Sequence, residues 1–290
     1  MVAPGMLHND SVKRWLNGIV PAWTLLEPAS LMSLDRPPSA PAAAIALSRD
    51  LAREELFLSD VVHNALILLQ SAAVKPGLKL TTTGNLSRNV VATMFDVFTW
   101  PGLDKKLLLD VHKVMNEPDF LPLFFVRHLL EAARLMRSEK GHLVITAAGR
   151  RALDEPGLFS LQADLFETAF WKTDLSAFTR GFLHGWPQTH AGVVLWSLSV
   201  VATDWMKPAE LARLCTIPVN GILDQPYDRS QYALEGVMLR PLAAFGILEH
   251  RKEPIPGQRF GHENYYRKGP LFDRFLRFDV RLEADGGVRH

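Results

Sequence analysis

The 290 residues carry 32 Lys and Arg against 31 Asp and Glu, a formal net charge of +1, with 48% hydrophobic content. A chain of this size can bury a sizeable core in two compact domains. Its near-neutral balance excludes a polyelectrolyte, so affinity for nucleic acid has to come from local patches. The single cysteine, Cys215, excludes an intramolecular disulfide and a cysteine-rich zinc site, and its apolar helical context points to a buried, inert thiol.

Residues 1–48 read as an N-terminal arm. A short helix is expected over residues 11–19, and Arg36-Pro37-Pro38-Ser39-Ala40-Pro41 reads as a linker. The start lacks a secretory signal, and the longest strongly apolar run, residues 191–202, is well short of the roughly 20 residues of a membrane span. Cytoplasm is the expected location, with no membrane partner.

Within residues 49–158, Ser59 is placed to cap a helix from 60 to about 73 whose Val61, Ala65, Leu68 and Leu69 recur at helical spacing. An alternating strand over 77–84 and a helix over 88–98 follow. Further on come a helix opening at Asp119 or Pro122 and running through Met136, a tip at 138–141, a strand at 142–145 and a helix at 150–153. The two stretches share a helix, a glycine-containing tip, a strand and a Thr-x-x-Gly exit, and read as an internal repeat.

Residues 159–290 read as a helical connector and a third unit. Pro208 and Glu210 mark a helix start, a helix spans 230 to about 244, and Phe245-Gly246 ends it. A strand at 247–251, a tip at 254–258, a return strand at 264–267 and a helix over 271–278 complete the unit. The order helix, helix, β-hairpin is the winged-helix pattern. On Leu143-Val144-Ile145-Thr146-Ala147-Ala148-Gly149-Arg150-Arg151 and Phe245-Gly246-Ile247-Leu248-Glu249, the chain resembles bacterial winged-helix regulators. More loosely, Leu80 to Ser87, Ile145 to Gly149 and Tyr266 to Phe272 are similar to the helical region that accompanies a plasmid-borne repressor-like domain of uncharacterised function. The repressor-like domain itself is not recognisable in this chain. The expected class is an α-rich α+β fold of tandem winged-helix-like units.

Charge follows that pattern. Arg127, Arg134, Arg137, Lys140, Arg150 and Arg151 face only Glu131 and Glu139 over residues 127–151, and residues 250–281 hold eight basic against four acidic side chains. Residues 152–234 hold five against nine. Phosphate contacts dominate DNA affinity, so these six residues together with Arg240, Arg251, Lys252, Arg259, Arg267 and Lys268 are the candidate DNA-binding set. Lys140 and Arg259 sit near hairpin tips, and Arg134 and Arg240 are placed for base edges. Double-stranded DNA is the expected partner of a regulatory or mobile-element protein. The alternative is a scaffold that docks another protein, for which Trp171 and Trp186 are the aromatic candidates.

No catalytic motif is recognisable, so an enzyme is not expected. The segment 77–84 lacks the Lys-Ser/Thr ending of a phosphate loop, and no Gly-x-Ser-x-Gly elbow occurs. His184 and His190 lack metalloprotease spacing, His63 reads as a core histidine, and Asp164 and Glu167 read as a solvated helix face. No metal or cofactor is expected, and oligomeric state is not fixed by the sequence.

Overall fold

The computed structural model describes residues 9–179, 185–219, 229–257 and 261–283, which group into two compact units. The described residues of Met1–Leu47, Asp174–Ala243 and Ile247–His290 form the first. Ser48–Thr173, joined by Ala244–Gly246, form the second.

In chain order, α1 (Asp10–Leu16) begins at Asn9, whose side chain accepts from the Ser11 N–H, and α2 (Pro28–Leu34) has proline at its first turn. Strand β1 (Ile45–Leu47) and the short α3 (Arg53–Leu56) lead to α4 (Asp60–Ala73). Ser59 Oγ accepts from the Val62 N–H, 3.2 Å away, and Val61, Ala65, Leu68 and Leu69 are buried as their spacing predicts. Then come β2 (Leu78–Lys79), α5 (Arg88–Val97), α6 (Lys105–Val111), α7 (Leu121–Ala132), β3 (Met136–Glu139), β4 (His142–Ile145), α8 (Ala147–Arg151) and α9 (Gly157–Glu167). The last eight elements are α10 (Ala191–Val201), α11 (Pro208–Cys215), α12 (Ser230–Leu234), α13 (Arg240–Ala244), β5 (Leu248–Pro254), β6 (His262–Lys268), α14 (Phe272–Phe275) and β7 (Leu276–Phe278). A π-helical turn, Glu235–Leu239, joins α12 to α13.

The class is mixed helix and sheet, with small antiparallel sheets. In the second unit β2, β4 and β3 lie side by side in that order, Leu78 opposite Leu143 and Ser138 opposite Leu143. The strand at residue 78 and the hairpin at 136–145, expected in two separate repeats, therefore share one sheet. The order along the chain is helix α4, strand β2, helices α5 to α7, then strands β3 and β4. The first unit runs the same way: helix α10, a bridge at Met206, helices α11 to α13, then β5 and β6. Met206 pairs with Tyr266 on the side of β6 away from β5.

Three expectations change. The helix expected through Met136 stops at Ala132, because Arg134 takes a left-handed φ of 59° and residues 136–139 pair as β3. The closing helix expected over 271–278 is cut at Phe275, since Leu276–Phe278 pairs antiparallel with Ile45–Leu47. The Pro/Ala stretch of the expected arm thus lies between α2 and β1, both held in the first unit. Trp23 is buried, and its Nε1–H donates to the Thr216 carbonyl at 2.9 Å. Gly192 in α10 faces the same segment so closely that a Cβ there would lie 1.9 Å from the Leu34 carbonyl oxygen.

Candidate nucleic-acid interface

The candidate basic residues separate by what holds them. Arg127 is not available to a phosphate. Its guanidinium is buried, donating to Glu117 at 2.7 Å, to Glu131 at 3.1 Å and to the Gly84 carbonyl at 2.9 Å. Its position on α7 explains this, because the neighbouring Leu123, Phe125, Val126, Leu129 and Leu130 are all in the core. An arginine carried inward with them has to bring carboxylates with it. The Glu117 Oε1 atom is buried without a hydrogen-bond partner at the edge of a cleft formed with Asn85, Ser87, Arg88 and Asn116.

The hairpin of β3 and β4 differs. Lys140 stands exposed at its tip with a left-handed φ of 47°, followed by Gly141 at 76°. Arg134 is exposed at the hairpin base. There its carbonyl accepts from Thr146 Oγ1 at 2.9 Å, and the same hydroxyl accepts from the Gly149 N–H at 3.0 Å, starting α8. That helix carries Arg150 and Arg151, both exposed. Among the described residues, none of the side chains of Arg134, Lys140, Arg150 and Arg151 meets a carboxylate within ion-pair distance. Arg137 on β3 is exposed but paired with Glu139 at 2.6 Å.

On the C-terminal hairpin three of the five expected contacts, Arg251, Arg267 and Lys268, are already engaged. Alternate residues of β5 and β6 share a sheet face, so Glu249, Arg251, Glu253, Glu263, Tyr265 and Arg267 lie together, with Trp205 and Lys207 beside them. Arg267 meets Glu249 at 2.6 Å, Arg251 meets Glu253 at 3.0 Å and Lys207 meets Glu263 at 2.9 Å. Arg251 and Arg267 also stack on Trp205, at 4.7 and 4.5 Å from its ring centre. Lys268 pairs with Asp273 at 2.8 Å. Lys252 is exposed on β5. Arg259 lies outside the described residues. The charge excess read over 250–281 is therefore largely cancelled on this face. The sequence shows the acids but not the alternation that puts them opposite the arginines.

Arg240, expected to face base edges, is tied to Glu235 at 3.2 Å. Glu235 is buried, and its Oε1 also accepts from the Asn264 amide at 2.6 Å and the Tyr266 hydroxyl at 3.0 Å. His250 stacks on Tyr266, ring centres 4.8 Å apart, with its Nε2 3.0 Å from Asn264 Oδ1. Burial holds the His250 imidazole below its ordinary pKa and the Tyr266 phenol above its own. Sequence reading singled out Arg240 but missed the cluster, because Glu235 and Tyr266 lie 31 residues apart and nothing local links them.

Of the other residues singled out, Cys215 is buried and its thiol is pushed up by that burial. Trp186 is buried, donating to the Ile217 carbonyl at 2.8 Å, and Trp171 is half-buried. Glu167, expected on a solvated face, is buried and held by Lys172 at 2.9 Å, whereas Asp164 is exposed and pairs with Arg49. His190 lies 3.0 Å from Asp35, His63 is half-buried with an edge-on contact to Phe57, and His184 falls outside the described residues. Among the described residues no group of three or more His, Cys, Asp or Glu is placed to hold a metal ion, and no helix is long and apolar enough to cross a membrane.

The family match falls on the second unit. Residues 57–158 match the family model described as the Y4jL N-terminal domain. The chain is similar to "Uncharacterized protein y4jL" of Sinorhizobium fredii (strain NBRC 101917 / NGR234), 36% identical over 102 residues, which is 35% of this chain and 46% of that protein. It thus spans less than half the length of that relative. No winged-helix family is named by these matches, and no solved structure matches the chain.

Proposed function

We propose that this chain is a DNA-binding protein of regulatory or mobile-element type. It grips the phosphate backbone through the β3–β4 hairpin and α8 of its second unit. The observation that carries the reading is the group Arg134, Lys140, Arg150 and Arg151, exposed around one hairpin without a carboxylate partner among the described residues. Uncompensated cations on a projecting hairpin release condensed counterions when they meet phosphates, which is the main source of DNA affinity. Further support comes from the order of elements. A helix, a strand, helices and two strands, with the first strand beside the last, is the order that a winged-helix reading expects, and it supports setting the hairpin against the duplex. Helix α7 is short of donors for base edges, since its exposed residues are Leu121 and Ala132 and its half-buried ones Phe124, His128 and Glu131. The proposal is therefore of backbone contact with little sequence preference.

The test is fluorescence anisotropy with a labelled duplex over a salt series. Affinity should fall steeply as salt rises. Lys140→Ala and the pair Arg150→Ala with Arg151→Ala should flatten the logarithmic salt slope by about 0.9 for each phosphate no longer neutralised. Arg251→Ala should leave the slope unchanged, because that side chain is engaged with Trp205 and Glu253. Binding that ignores salt, or that responds only to Arg251, overturns the reading. A second reading, docking of another protein, is favoured by the exposed apolar side chains around α6.

A further inference from the structure

Between Asp60 and Asp96 the chain has no acidic residue, yet it carries Lys75, Lys79 and Arg88, all three exposed. The fold brings two of them to the tip of the β3–β4 hairpin. Lys79 lies opposite His142 of β4, and His142 lies opposite Glu139 of β3. In the next row of the sheet, Leu78 and Leu143 are buried. Successive residues of a strand point to opposite faces, so Lys79 points outward, in the row that borders the Lys140-Gly141 turn. The Leu80 N–H donates to the Gly141 carbonyl at 2.9 Å, which holds β2 against the tip itself. On the other side of β2 the Ser87 N–H donates to the Lys79 carbonyl at 2.9 Å, and α5 begins at once with Arg88. Ser87 does not cap α5 with its side chain, so the positive end of that helix dipole adds to the same spot. Arg88 Nε donates to Asn116 Oδ1 at 3.2 Å. The acids of the surrounding elements are engaged elsewhere: Glu139 with Arg137, Glu117 with Arg127, and Asp119 with Asn116 and His112. Among the described residues, neither Lys79 nor Arg88 meets a carboxylate within ion-pair distance.

We propose that Lys79 and Arg88 form, with Lys140, a second phosphate-binding group, and that the second unit holds duplex DNA by the tip and the base of the hairpin at once. That role rests on the DNA reading of the hairpin and extends it to residues of β2 and α5. Arg134, Arg150 and Arg151 stand at the base. From His142 beside the tip to Thr146 at the base the chain advances four residues, about 13 Å. The grooves of DNA are about 6 to 12 Å wide, so cations at the two ends of the hairpin meet phosphates on opposite sides of a groove. A single strand has one row of phosphates and offers no such pair.

Anisotropy of the full chain with a labelled duplex and with one of its single strands, each over a salt series, tests it, with circular dichroism to confirm folding of each variant. The pair Lys79→Ala with Arg88→Ala should flatten the logarithmic salt slope on the duplex by about 1.8, about 0.9 for each lost contact, and change it little on the single strand. Lys79→Arg should keep the wild-type slope, since it keeps the charge. Lys106→Ala removes an exposed lysine beyond the far end of α5, whose ten residues span about 15 Å, and should leave the slope unchanged. A duplex slope that survives the loss of Lys79 and Arg88 but falls with Lys140→Ala overturns the second group and leaves the DNA reading standing. A slope that falls as much per charge with Lys106→Ala also overturns it, by reducing the effect to overall charge. An equal drop on duplex and single strand overturns the two-sided grip and assigns the surface to single-stranded nucleic acid. A wild type that binds neither overturns this group and the DNA reading together.

Discussion

Leu143 in the second unit sits in the middle of its sheet between Leu78 and Ser138, and Tyr266 in the first sits between Met206 and His250. Ser138 and His250 follow their helices at the same distance. Leu135 and Ile247 each donate back to a carbonyl five residues earlier, Leu130 and Leu242, both at 2.9 Å, just after a residue of positive φ, Arg134 or Gly246. The backbone device is thus the same, and the chemistry of the middle row is different. Leu143 is apolar and needs nothing. Tyr266 is equally buried, and its hydroxyl needs a partner. Glu235 supplies it, and Arg240 and Asn264 then serve Glu235. One hydroxyl in the core thereby accounts for a four-residue polar cluster that the second unit lacks. The second unit has its own buried charge, Glu117 with Arg127, placed on α7 beside the sheet.

The comparison can be broken most forcefully at Arg127. Replacing it with Met strands the fully buried Glu117 carboxylate, and about 3–5 kcal/mol of the second unit's stability should be lost. The companion change Glu117→Leu in the same chain should recover most of it, because removing both charges leaves nothing unpaired. Hydrogen exchange read separately over residues 60–151 and 191–275 checks this, and an equal loss of protection in both ranges would show that the two units do not open independently. Next in size is Glu235→Gln. The amide oxygen can still accept from Tyr266 and Asn264, but the charge facing Arg240 is gone, so a loss of about 1.5–3 kcal/mol is expected in the first unit alone. Thr146→Ala removes the hydroxyl that joins Arg134, Leu135 and Gly149, and should cost about 1–2 kcal/mol. It should also loosen α8, and so weaken DNA binding if Arg150 and Arg151 act as proposed.

These differences also explain what could be read in advance. Helix α4 was legible from its apolar spacing and its cap at Ser59, and the start of α11 from Pro208 and Glu210, since capping and periodicity are local. The exits at Thr146 and Phe245-Gly246 were legible for the same reason. Strand β3 was not, because Met136-Arg137-Ser138-Glu139 has no alternation of its own and becomes a strand only by pairing with β4. Nor was β7, three residues matched to a strand some 230 positions earlier. The basic residues were legible as a list. Which of them stay unpaired was not, because Arg127 and Arg267 are neutralised by carboxylates that fold geometry brings to them.

The smallest expected effect is the most selective, since only the first unit has a histidine in its middle row. His250 is held below its ordinary value of 6.5 chiefly by burial, with Lys252 and Arg240 adding to the depression and Asn264 and Glu235 opposing it. A depressed histidine favours the neutral form in the folded state. Above pH 6.5 neither the folded nor the unfolded chain holds the proton, and the group contributes no pH dependence. As pH falls below 6.5 the unfolded chain takes up the proton first, so the first unit should lose stability, and the loss should level off once the folded imidazole also protonates. Urea midpoints for the first unit at about pH 7.5 and about pH 5.5 should therefore differ more in the wild type than in His250→Gln, which keeps a polar group near Asn264 but cannot titrate. The second unit, with Ser138 at the equivalent place, should show no such difference between the two chains. If the variant's midpoint shifts as much as the wild type's, acid sensitivity belongs to the carboxylates, and the middle row is not where the two units diverge in their response to protons.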